Sequence, residues 1–477
     1  MHQVKFGTDG WRAIIARDFT FENCRIVTQG IASYLSNKNL TKNGIVIGYD
    51  NRFMSEDFAQ ECARVLAGNG IKVYFLRKPT PTPVTAFAIR ELDTSGAIML
   101  TASHNPPKYN GIKFIPEYAG PALPDVTDLI EEQVNRVIEQ GKVYELSIEE
   151  AKTLGLFEEI DIDIAYNSQL LKVVKPEFFK NKEIKVVVDP MFGVGIGYLE
   201  RVLLELGCEV RTINNYRDPL FGGGMPEPTV DWLDDLRRAV LSYNADLGLA
   251  MDGDADRFGI IDKDGEFINA NKFMYILLNH LLETRTFKGP VARSIATTHM
   301  LDKIAKHHGL TVLETPVGFK YVGECLREKG CIMGGEESGG LSVFGHIPEK
   351  DGVLACLLAA ELLAYTGKSM AELASEIEAE YGQLISERLD IKVAEIEKAN
   401  IIARINDYIP RTVADIKVAS HSTIEGSKIL LEDGSWVLIR SSGTEPLFRI
   451  YVETTDEDKL RLIQREVTEA IGIENLG

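Results

Sequence analysis

The chain has 477 residues, of which 45% are hydrophobic and 26% are charged, and its formal net charge is −19. Its length predicts several domains, because single hydrophobic cores stop growing well below this size. The negative charge repels nucleic acids and anionic membranes, so we expect neither as a partner. An anionic ligand would need a local cluster of arginine and lysine side chains.

The N-terminal segment has no basic region followed by an apolar stretch, so no signal peptide is recognisable. The longest apolar run, residues 353–365, is interrupted by Glu361 and is too short to cross a bilayer, which predicts a core helix. The six cysteines form no C-x-x-C pair, which indicates reduced thiols without a zinc or dithiol site. Together these features predict a cytoplasmic protein.

Three segments of the chain contain the same order of predicted elements. Each begins with a β-branched strand, at Gly44, Ile184 and Gly289, and continues through an amphipathic helix into a second strand. A third strand then runs into a polar loop, in SGAIMLTASHNP, ADLGLAMDGDADR and GCIMGGEESGG. This alternation predicts α/β units, in which ligands gather beyond the carboxyl ends of strands. We predict a duplication that places three loops around one cleft, although all α/β units resemble one another to some degree.

The pattern changes after about Leu384. The strand ERLDIKV, a helical stretch over residues 395–408, the segment KILLEDGSWVLIR and the strand FRIYVET predict an α+β module. The Asp-Gly pair inside LEDGSW is typical of a tight hairpin turn. We predict linkers near residues 154–164, near Ile261 and near Gly382.

The first polar loop, residues 101–106, contains Ser103 directly after a buried strand. A serine in this place fits either a nucleophile or the cap of a turn. It does not lie in a G-x-S-x-G sequence, so a hydrolase nucleophile elbow is not favoured. His104 is its neighbour, but adjacent side chains on an extended chain point apart, so we expect no contact between the two.

The second polar loop carries Asp252, Asp254 and Asp256, separated by small residues. Three carboxylates at this spacing can converge on one hard cation and leave room for a phosphate oxygen, which suits Mg²⁺. An EF-hand does not fit, because the twelfth position counted from Asp252 is Lys263 and not glutamate. The alternative is a solvated acidic turn.

The third polar loop, residues 334–340, contains Glu336 and Ser338 between glycines. These side chains are good partners for sugar hydroxyls, although a flexible acidic turn has the same composition. Shortly after the loop, His346 and Lys350 fit either an anion contact and proton transfer or the cap of a helix.

The fourth polar loop, residues 440–446, is followed by Arg449. Arginine, hydroxyl groups and the free N–H groups of a glycine turn make a phosphate-binding site. This loop supplies the local positive charge that the acidic chain otherwise lacks. Four such loops in this order indicate one shared site.

The chain resembles the α-D-phosphohexomutase family. The resemblance rests on FGTDGWR, TASHNPPKYNGIKF, DGDADR, GGEESGG with HIPEKDG, and RSSGTEP, which together run from residue 6 to residue 446. It implies an α/β fold in which three related α/β domains with mixed sheets, plus a smaller C-terminal α+β domain, form a heart shape around a central cleft. We place the phosphoserine loop in domain 1 (1–155), the metal loop in domain 2 (156–260), the sugar-recognition loop in domain 3 (261–380) and the phosphate-binding loop in domain 4 (381–477).

The resemblance also implies roles for individual residues. Ser103 would be the phosphoserine, and its phosphoryl oxygen would bind Mg²⁺ together with Asp252, Asp254 and Asp256. Arg12 and Lys113 would act near Ser103, and Lys350 is the predicted general base. The implied substrate-binding residues are Arg257, Glu336, Ser338, Arg440, Ser442, Gly443, Thr444 and Arg449.

The implied activity is a phosphohexomutase that interconverts hexose 1-phosphate and hexose 6-phosphate. The reaction passes through a phosphoserine and a 1,6-bisphosphate, with glucose 1,6-bisphosphate as activator, in a monomer or a homodimer that binds small sugar phosphates. We predict glucose as the preferred sugar and mannose as a second one, because GEESGG, HIPEKDG and PVGFKYVG are similar to glucose-specific members. RSSGTEP and DGDADR are more similar to the branch of phosphomannomutases and phosphoglucosamine mutases. Glucosamine-type members usually carry Gln and His in place of Glu337 and Gly340.

Four alternatives are open at this point. A hexose-1,6-bisphosphate synthase would use the same loops and release the bisphosphate, and a phosphoglucosamine mutase would differ only in the sugar. A non-catalytic sugar-phosphate sensor is a different class of protein, and the presence of Ser103 and the three aspartates argues against it. A plain phosphatase would need a dedicated water activator, which the sequence does not suggest.

Overall fold

The computed structural model describes residues 4–7, 10–441 and 447–473, except for the side chain of Glu395. Four sheets organise the chain in sequence order, three of them mixed and the fourth antiparallel. The six cysteines are free thiols, as predicted, and all of them except Cys325 are buried.

The first unit is built on a 6-stranded sheet in the order β1-β5-β4-β2-β3-β6. Thr20 caps the first long helix, because its side chain accepts a hydrogen bond from the backbone N–H of Asn23 at 3.2 Å. The elements are β1 (Trp11–Ile14), α1 (Phe21–Asn37), β2 (Ile45–Tyr49), α2 (Ser55–Gly68), β3 (Val73–Leu76), α3 (Thr82–Leu92), β4 (Gly96–Leu100), β5 (Tyr109–Pro116), α4 (Pro124–Gln140), α5 (Ile148–Thr153) and β6 (Phe157–Ile160).

The second unit contains a 5-stranded sheet in the order β11-β10-β9-β7-β8. Its elements are α6 (Asp163–Val173), β7 (Lys185–Asp189), α7 (Leu199–Glu205), β8 (Glu209–Thr212), α8 (Asp234–Tyr243), β9 (Leu247–Met251), β10 (Phe258–Asp262) and β11 (Phe267–Ile268). Short 3₁₀ segments lie at Pro176–Phe179, Phe221–Gly223 and Val230–Trp232.

The third unit contains a 4-stranded sheet in the order β13-β12-β14-β15. Its elements are α9 (Ala270–Thr284), β12 (Val291–Ser294), α10 (Met300–His307), β13 (Val312–Thr315), α11 (Phe319–Lys329), β14 (Met333–Gly335), β15 (Leu341–Val343), α12 (Gly352–Thr366) and α13 (Met370–Tyr381).

The predicted threefold repeat is present in the sheet topology. Four strands of each unit have the same order, namely β5-β4-β2-β3, β10-β9-β7-β8 and β15-β14-β12-β13. In chain order, the first of these four strands (β2, β7 or β12) pairs parallel with the second and with the third. The third strand pairs antiparallel with the fourth. Each polar loop therefore occupies the same position, at the carboxyl end of the third strand.

The fourth unit has a 6-stranded sheet in the order β16-β21-β20-β19-β18-β17. The predicted hairpin forms between the fourth and fifth strands of this unit in chain order, β19 and β20. Gly434 in its turn has a φ of 89°, which glycine adopts without strain. Its elements are β16 (Ile385–Lys392), α14 (Glu395–Asp407), β17 (Thr412–Val413), β18 (Ile416–Ser422), β19 (Ser427–Leu431), β20 (Trp436–Ser441), β21 (Leu447–Thr454) and α15 (Glu457–Ala470).

The first three units share a continuous core. Buried apolar side chains of α3, α6, α9 and α12 belong to one cluster that joins them, whereas the fourth unit has a core of its own. A small cluster around Trp436 packs the fourth unit against Ile295 and Ala296 of the third. The polar loops of the first three units are thus fixed relative to one another by shared packing.

The apolar run over residues 353–365 forms the buried core helix α12, as predicted. Its one charged side chain, Glu361, accepts hydrogen bonds from His280 Nε2 and Arg285 Nη2, each at 2.7 Å. Within the described residues no single helix is long and apolar enough to cross a membrane; α12 and α13 reach that composition only jointly, across a 77° bend.

The domain boundaries stay predictions, and the sheets suggest where to move two of them. Strand β6 pairs with β3 and so extends the first sheet to Ile160, while β11 extends the second sheet to Ile268. We therefore propose domain ends after Ile160 and after Ile268, because strands that share a hydrogen-bonded sheet fold as one unit.

Candidate active site

Ser103 lies in the loop between β4 and β5 and is 1% exposed. Its φ of 49° is left-handed, and its backbone N–H donates to Thr101 Oγ1 at 2.8 Å. Its hydroxyl donates to Asp252 Oδ2 at 2.9 Å. The serine of the first polar loop therefore contacts the acidic loop of the second unit directly.

The expectation that the Ser103 and His104 side chains point apart is wrong. Ser103 Oγ lies 3.2 Å from His104 Nδ1, because the left-handed backbone at Ser103 replaces the extended geometry that the expectation assumed. Burial, followed by the nearby charges of Arg257 and Arg12, holds the pKa of His104 well below its ordinary value. The imidazole is therefore neutral near pH 7, and a neutral ring has one nitrogen that can accept a hydrogen bond.

The acidic loop lies between β9 and β10, and its three aspartates are completely buried. Asp252 Oδ1 accepts from the backbone N–H groups of Asp256 at 2.9 Å and Arg257 at 3.0 Å, which folds the loop into a turn. One oxygen from each of Asp252, Asp254 and Asp256 lies within 4.8 Å of the others. Three like charges at this separation require nearby cations.

Two lysines supply positive charge to the acidic loop. Lys113 Nζ, on β5, lies 2.9 Å from Asp254 Oδ2 and 3.1 Å from Asp256 Oδ2, and Lys350 Nζ lies 2.8 Å from Asp256 Oδ2. Burial raises the pKa of Asp254, but the two ammonium groups outweigh burial and hold that pKa below its ordinary value. Burial, then the charges of Asp254 and Asp256, raises the pKa of Asp252.

The acidic loop fits a divalent cation. Asp254 Oδ1 and Asp256 Oδ1 are buried and have no hydrogen-bond partner among the described residues. Buried carboxylate oxygens rarely stay unpaired, because leaving them so costs their desolvation energy. Hard oxygen ligands in a small cluster are the donor set that Mg²⁺ prefers. These oxygens would hold the ion, in agreement with the sequence-based prediction.

Lys350 was predicted to be a general base, and the structure shows it as an ion-pair donor. An ammonium that donates to Asp256 has no lone pair, so Lys350 could take up a proton only after losing one. Its role as a base therefore stays a prediction. Arg12, on β1, donates from Nη1 to Asn105 Oδ1 at 2.6 Å, which keeps it beside the loop that carries Ser103.

The sugar-recognition loop follows β14. Glu336 is 5% exposed, its Oε1 accepts from the Gly318 N–H at 2.7 Å, and its own N–H donates to Gly340 O at 2.9 Å. Burial, then the charge of Glu337, raises the pKa of Glu336 to about 7. Ser338 lies two residues further on in the same turn, partly exposed.

Arg257 connects the second and third loops. Its backbone forms an antiparallel bridge with Gly340, and its Nη1 lies 3.4 Å from Glu227 Oε1. A Cβ atom on Gly340 would lie 2.8 Å from Lys350 Cδ, so a larger residue there would displace the lysine stem. The metal loop, the sugar loop and Lys350 therefore form one packed group.

Arg440 and Arg449 are opposite each other on β20 and β21. Arg440 Nη2 lies 3.8 Å from Glu425 Oε2, and Arg449 Nε lies 3.9 Å from Asp390 Oδ2. Like charges opposite each other on a sheet are destabilising, and an anion between them would remove the repulsion. This fits the predicted phosphate site, of which Ser442, Gly443 and Thr444 lie outside the described residues.

The sequence interpretation missed several residues of this site, above all Asp50, Asn51 and Arg52. They follow β2, which pairs directly with β4, the strand that leads to Ser103. Because the carboxyl ends of parallel neighbours meet at one sheet edge, the segment GYDNR could have been recognised as part of the site. Thr82 was also missed, and its hydroxyl donates to Asp254 Oδ2 at 2.6 Å.

Family comparisons cover almost the whole chain. Four domains described under Phosphoglucomutase/phosphomannomutase match in order. They are alpha/beta/alpha domain I at residues 3–141, domain II at 165–265, domain III at 269–381 and the C-terminal domain at 390–470.

Individual relatives are similar over nearly their full length. A phosphoglucomutase/phosphomannomutase of Thermococcus kodakarensis is 32% identical over 96% of both chains. A phosphoglucosamine/phosphogalactosamine mutase of Sulfurisphaera tokodaii is 29% identical over 98% of both chains. The crystal structure of a protein assigned as a phosphomannomutase from Thermus thermophilus superposes with a TM-score of 0.85 at 32% identity, covering 98% of this chain and 99% of the other.

Proposed function

This chain belongs to the α-D-phosphohexomutase family, and from that premise we propose that it interconverts glucose 1-phosphate and glucose 6-phosphate through a phosphoserine at Ser103. The observation that carries the proposal is the 2.9 Å contact between Ser103 Oγ and Asp252 Oδ2. It brings a hydroxyl nucleophile to the edge of a carboxylate cluster that fits a divalent cation. A hydroxyl and a cation site at hydrogen-bond distance are what phosphoryl transfer requires.

The proposed reaction has two transfers. First, the phosphoryl group on Ser103 passes to the free hydroxyl of a hexose monophosphate, with a new P–O bond formed to the sugar as the bond from phosphorus to Oγ breaks. The hydroxyl proton goes to a base, for which Lys350 in its neutral form is our candidate, and Oγ is protonated in turn. The resulting 1,6-bisphosphate turns around in the cleft, and its other phosphoryl group returns to Ser103. Lys113 and Arg12 lie beside the acidic loop and the Ser103 loop, where they would stabilise charge on the transferred group.

The remaining residues bind and orient the sugar phosphate. Mg²⁺, when bound, supplies positive charge that neutralises the phosphoryl oxygens. Glu336 and Ser338 would hold sugar hydroxyls, and the Arg440–Arg449 pair would hold the phosphate that does not react. Burial of Ser103 and the three aspartates keeps water away from the phosphoserine, which favours transfer to the sugar over hydrolysis.

Glucose is our first choice of sugar and mannose the second. The support is the third loop, where Gly340 packs against the Lys350 stem and leaves no room for the histidine usual in glucosamine-type members. The test is a comparison of kcat/KM on the 1-phosphates of glucose, mannose and glucosamine, with glucose 1,6-bisphosphate as activator. We expect the order glucose, mannose, glucosamine. A clear preference for glucosamine 1-phosphate would contradict this choice.

Phosphoglucosamine mutase is the second candidate function. The Sulfurisphaera tokodaii relative carries that designation, and the adjacent carboxylates of Glu336 and Glu337 would attract the ammonium of a 2-amino sugar. The ratio of kcat/KM on glucosamine 1-phosphate to kcat/KM on glucose 1-phosphate separates the two candidates. A ratio well above one would favour the second candidate, and a ratio well below one the first.

Gly253 allows the acidic loop to approach Ser103, and its substitution tests that approach. A Cβ atom at Gly253 would lie 2.7 Å from Ser103 O, a contact that only displacement of one loop can relieve. We expect Gly253→Ala to lower kcat on glucose 1-phosphate by about 100-fold, since small displacements at a reacting centre have effects of this size. The matched control is Gly68→Ala at the end of α2, where the new Cβ would lie 2.5 Å from Glu145 backbone atoms. The control should lose stability and keep its kcat; equal kcat in both variants would refute the prediction.

A further inference from the structure

Arg52 is a completely buried arginine that directly follows β2. Its guanidinium binds backbone carbonyls of the Ser103 loop. Nη2 donates to the oxygens of residues 103 and 105, each at 2.6 Å, and Nη1 donates to those of residues 106 and 109 at 2.9 and 3.0 Å. Nε forms an ion pair with Asp50 Oδ2 at 3.2 Å. Both terminal nitrogens of the guanidinium therefore hold one loop, while Nε pairs with Asp50.

The Ser103 loop needs such support because its backbone is disfavoured. Ser103 has a φ of 49°, in the left-handed region that residues with a Cβ atom rarely adopt. The Ser103 amide is held by Thr101 Oγ1 at 2.8 Å and its carbonyl by Arg52. Without the guanidinium, this peptide would be free to return to an extended conformation, and Oγ would leave Asp252.

Asn51 extends the same segment to the second unit. Its Nδ2 donates to the carbonyls of Phe192 and Gly193, both at 2.9 Å. Gly193 in turn packs against the acidic loop so closely that a Cβ atom would lie 2.8 Å from Gly253 O and 3.0 Å from Asp252 O. The ring of Phe221, also in the second unit, lies 5.0 Å from the Arg52 guanidinium carbon. A continuous set of contacts thus runs from Ser103 to the acidic loop.

We propose that Arg52 and Asn51 are positioning residues that fix Ser103 Oγ against the acidic loop before substrate or cation binds. The inference rests on the proposed phosphoryl transfer through Ser103, and it adds residues that act through the backbone and not by touching the sugar phosphate. Lysine cannot replace Arg52, because its three donors radiate from one nitrogen and do not match four carbonyls and a carboxylate arranged around a fork.

The first experiment compares Arg52→Lys with the wild type. We expect kcat on glucose 1-phosphate to fall by about 100-fold, since the nucleophile is displaced, while KM changes little because no substrate contact is lost. The rate at which glucose 1,6-bisphosphate phosphorylates Ser103, followed by intact mass, should fall by the same factor. An unchanged kcat, or a loss expressed only in KM, would overturn the proposal.

A second variant tests the geometry chemically. Arg52→Ala removes the side chain beyond Cβ and leaves space in which a guanidinium ion can bind the same carbonyls. Added guanidinium at a non-denaturing concentration should therefore restore part of the activity. Methylammonium or NaCl at equal ionic strength should not. Equal responses to all three salts would contradict the proposal.

Asn51→Ala removes the contacts of the Asn51 side chain to Phe192 and Gly193 of the second unit. It should lower kcat on glucose 1-phosphate by about tenfold. A wild-type kcat in this variant would also contradict the proposal.

Arg285→Lys is the matched control. Arg285 has a side chain that is 4% exposed and pairs with Glu361 at 2.7 Å, away from Ser103. It should lose thermal stability to an extent similar to Arg52→Lys and keep its kcat, which separates positioning from general destabilisation. A wild-type protein that gains no phosphoryl group on Ser103 would refute the proposed function itself, whereas transfer to Ser103 at equal rates in wild type and Arg52→Lys would refute only this inference.

Discussion

Ser103→Ala is expected to lower kcat for glucose 1-phosphate isomerisation by at least about 10⁴-fold, because the Ser103 hydroxyl donates the phosphoryl group in the first transfer and receives one in the second. The Ser103 hydroxyl is buried and donates a hydrogen bond to Asp252 Oδ2 at 2.9 Å. Its loss removes the oxygen atom to which the phosphoryl group would be attached. Intact mass after exposure to glucose 1,6-bisphosphate should rise by one phosphoryl group in the wild type, mapped to Ser103, and stay constant in the variant.

Two further variants keep this result interpretable. Ser103→Gly removes the same hydroxyl and relieves the left-handed φ of 49°, so an equal loss of activity would show that the hydroxyl matters and not the backbone. Ser375→Ala, on the exposed side of α13, is the control and should behave as the wild type. Substantial turnover by Ser103→Ala, with a phosphoryl group found elsewhere, would show that Ser103 is not the nucleophile.

Asp256→Asn is expected to lower kcat by about 10³-fold, which corresponds to about 4 kcal/mol of transition-state stabilisation. Asp256 Oδ1 is buried and has no hydrogen-bond partner in the part of the chain that the structure describes, and Asp256 Oδ2 pairs with Lys113 and Lys350. Neutralising it weakens the cation site. Chelation of Mg²⁺ with EDTA should lower the kcat of the wild type to a similar extent. Added Mg²⁺ should restore the activity of the EDTA-treated wild type but not that of Asp256→Asn.

Thermal unfolding provides a readout of the same site that does not depend on activity. Binding of Mg²⁺ to the folded state raises the melting temperature of the wild type, and Asp256→Asn should lose most of this increase. Without Mg²⁺ the variant should be less stable than the wild type, because Asp256 also pairs with the buried ammonium groups of Lys113 and Lys350. Asp264→Asn in the exposed turn after β10 is the control; an equal Mg²⁺ response in all three proteins would exclude the acidic loop as the cation site.

Much of the fold could be predicted because its signals are local. The strands at Ile45–Tyr49 and Lys185–Asp189 are short runs rich in β-branched residues. Like the strand at Val291–Ser294, each is followed by a helix and a further strand. Repetition of this order predicted three related units, and the sheets confirm it with one shared strand order. The Asp-Gly turn likewise predicted the hairpin between β19 and β20.

The parts of the candidate site that depend on contacts between units could not be predicted from the sequence. The spacing of the three aspartates indicates a cation site, but nothing local indicates that Lys113 reaches them from β5 or that Thr82 caps Asp254. Burial raises the pKa of Tyr451 in the fourth unit, and the charge of Glu337, in the third unit, raises it further. Partners separated by more than a hundred positions become neighbours only when the units pack.

The sequence by itself therefore determined which chemical groups this protein brings to its candidate site: a serine and three carboxylates, which follow the carboxyl ends of strands, and a set of arginines. Spacing and periodicity encode such elements, since each depends on residues only a few positions apart. Only the tertiary structure decided that Ser103 turns left-handed toward His104 and Asp252, and that Arg52 holds it there. A backbone torsion of this kind is set by hydrogen bonds from distant segments, which the local sequence does not contain.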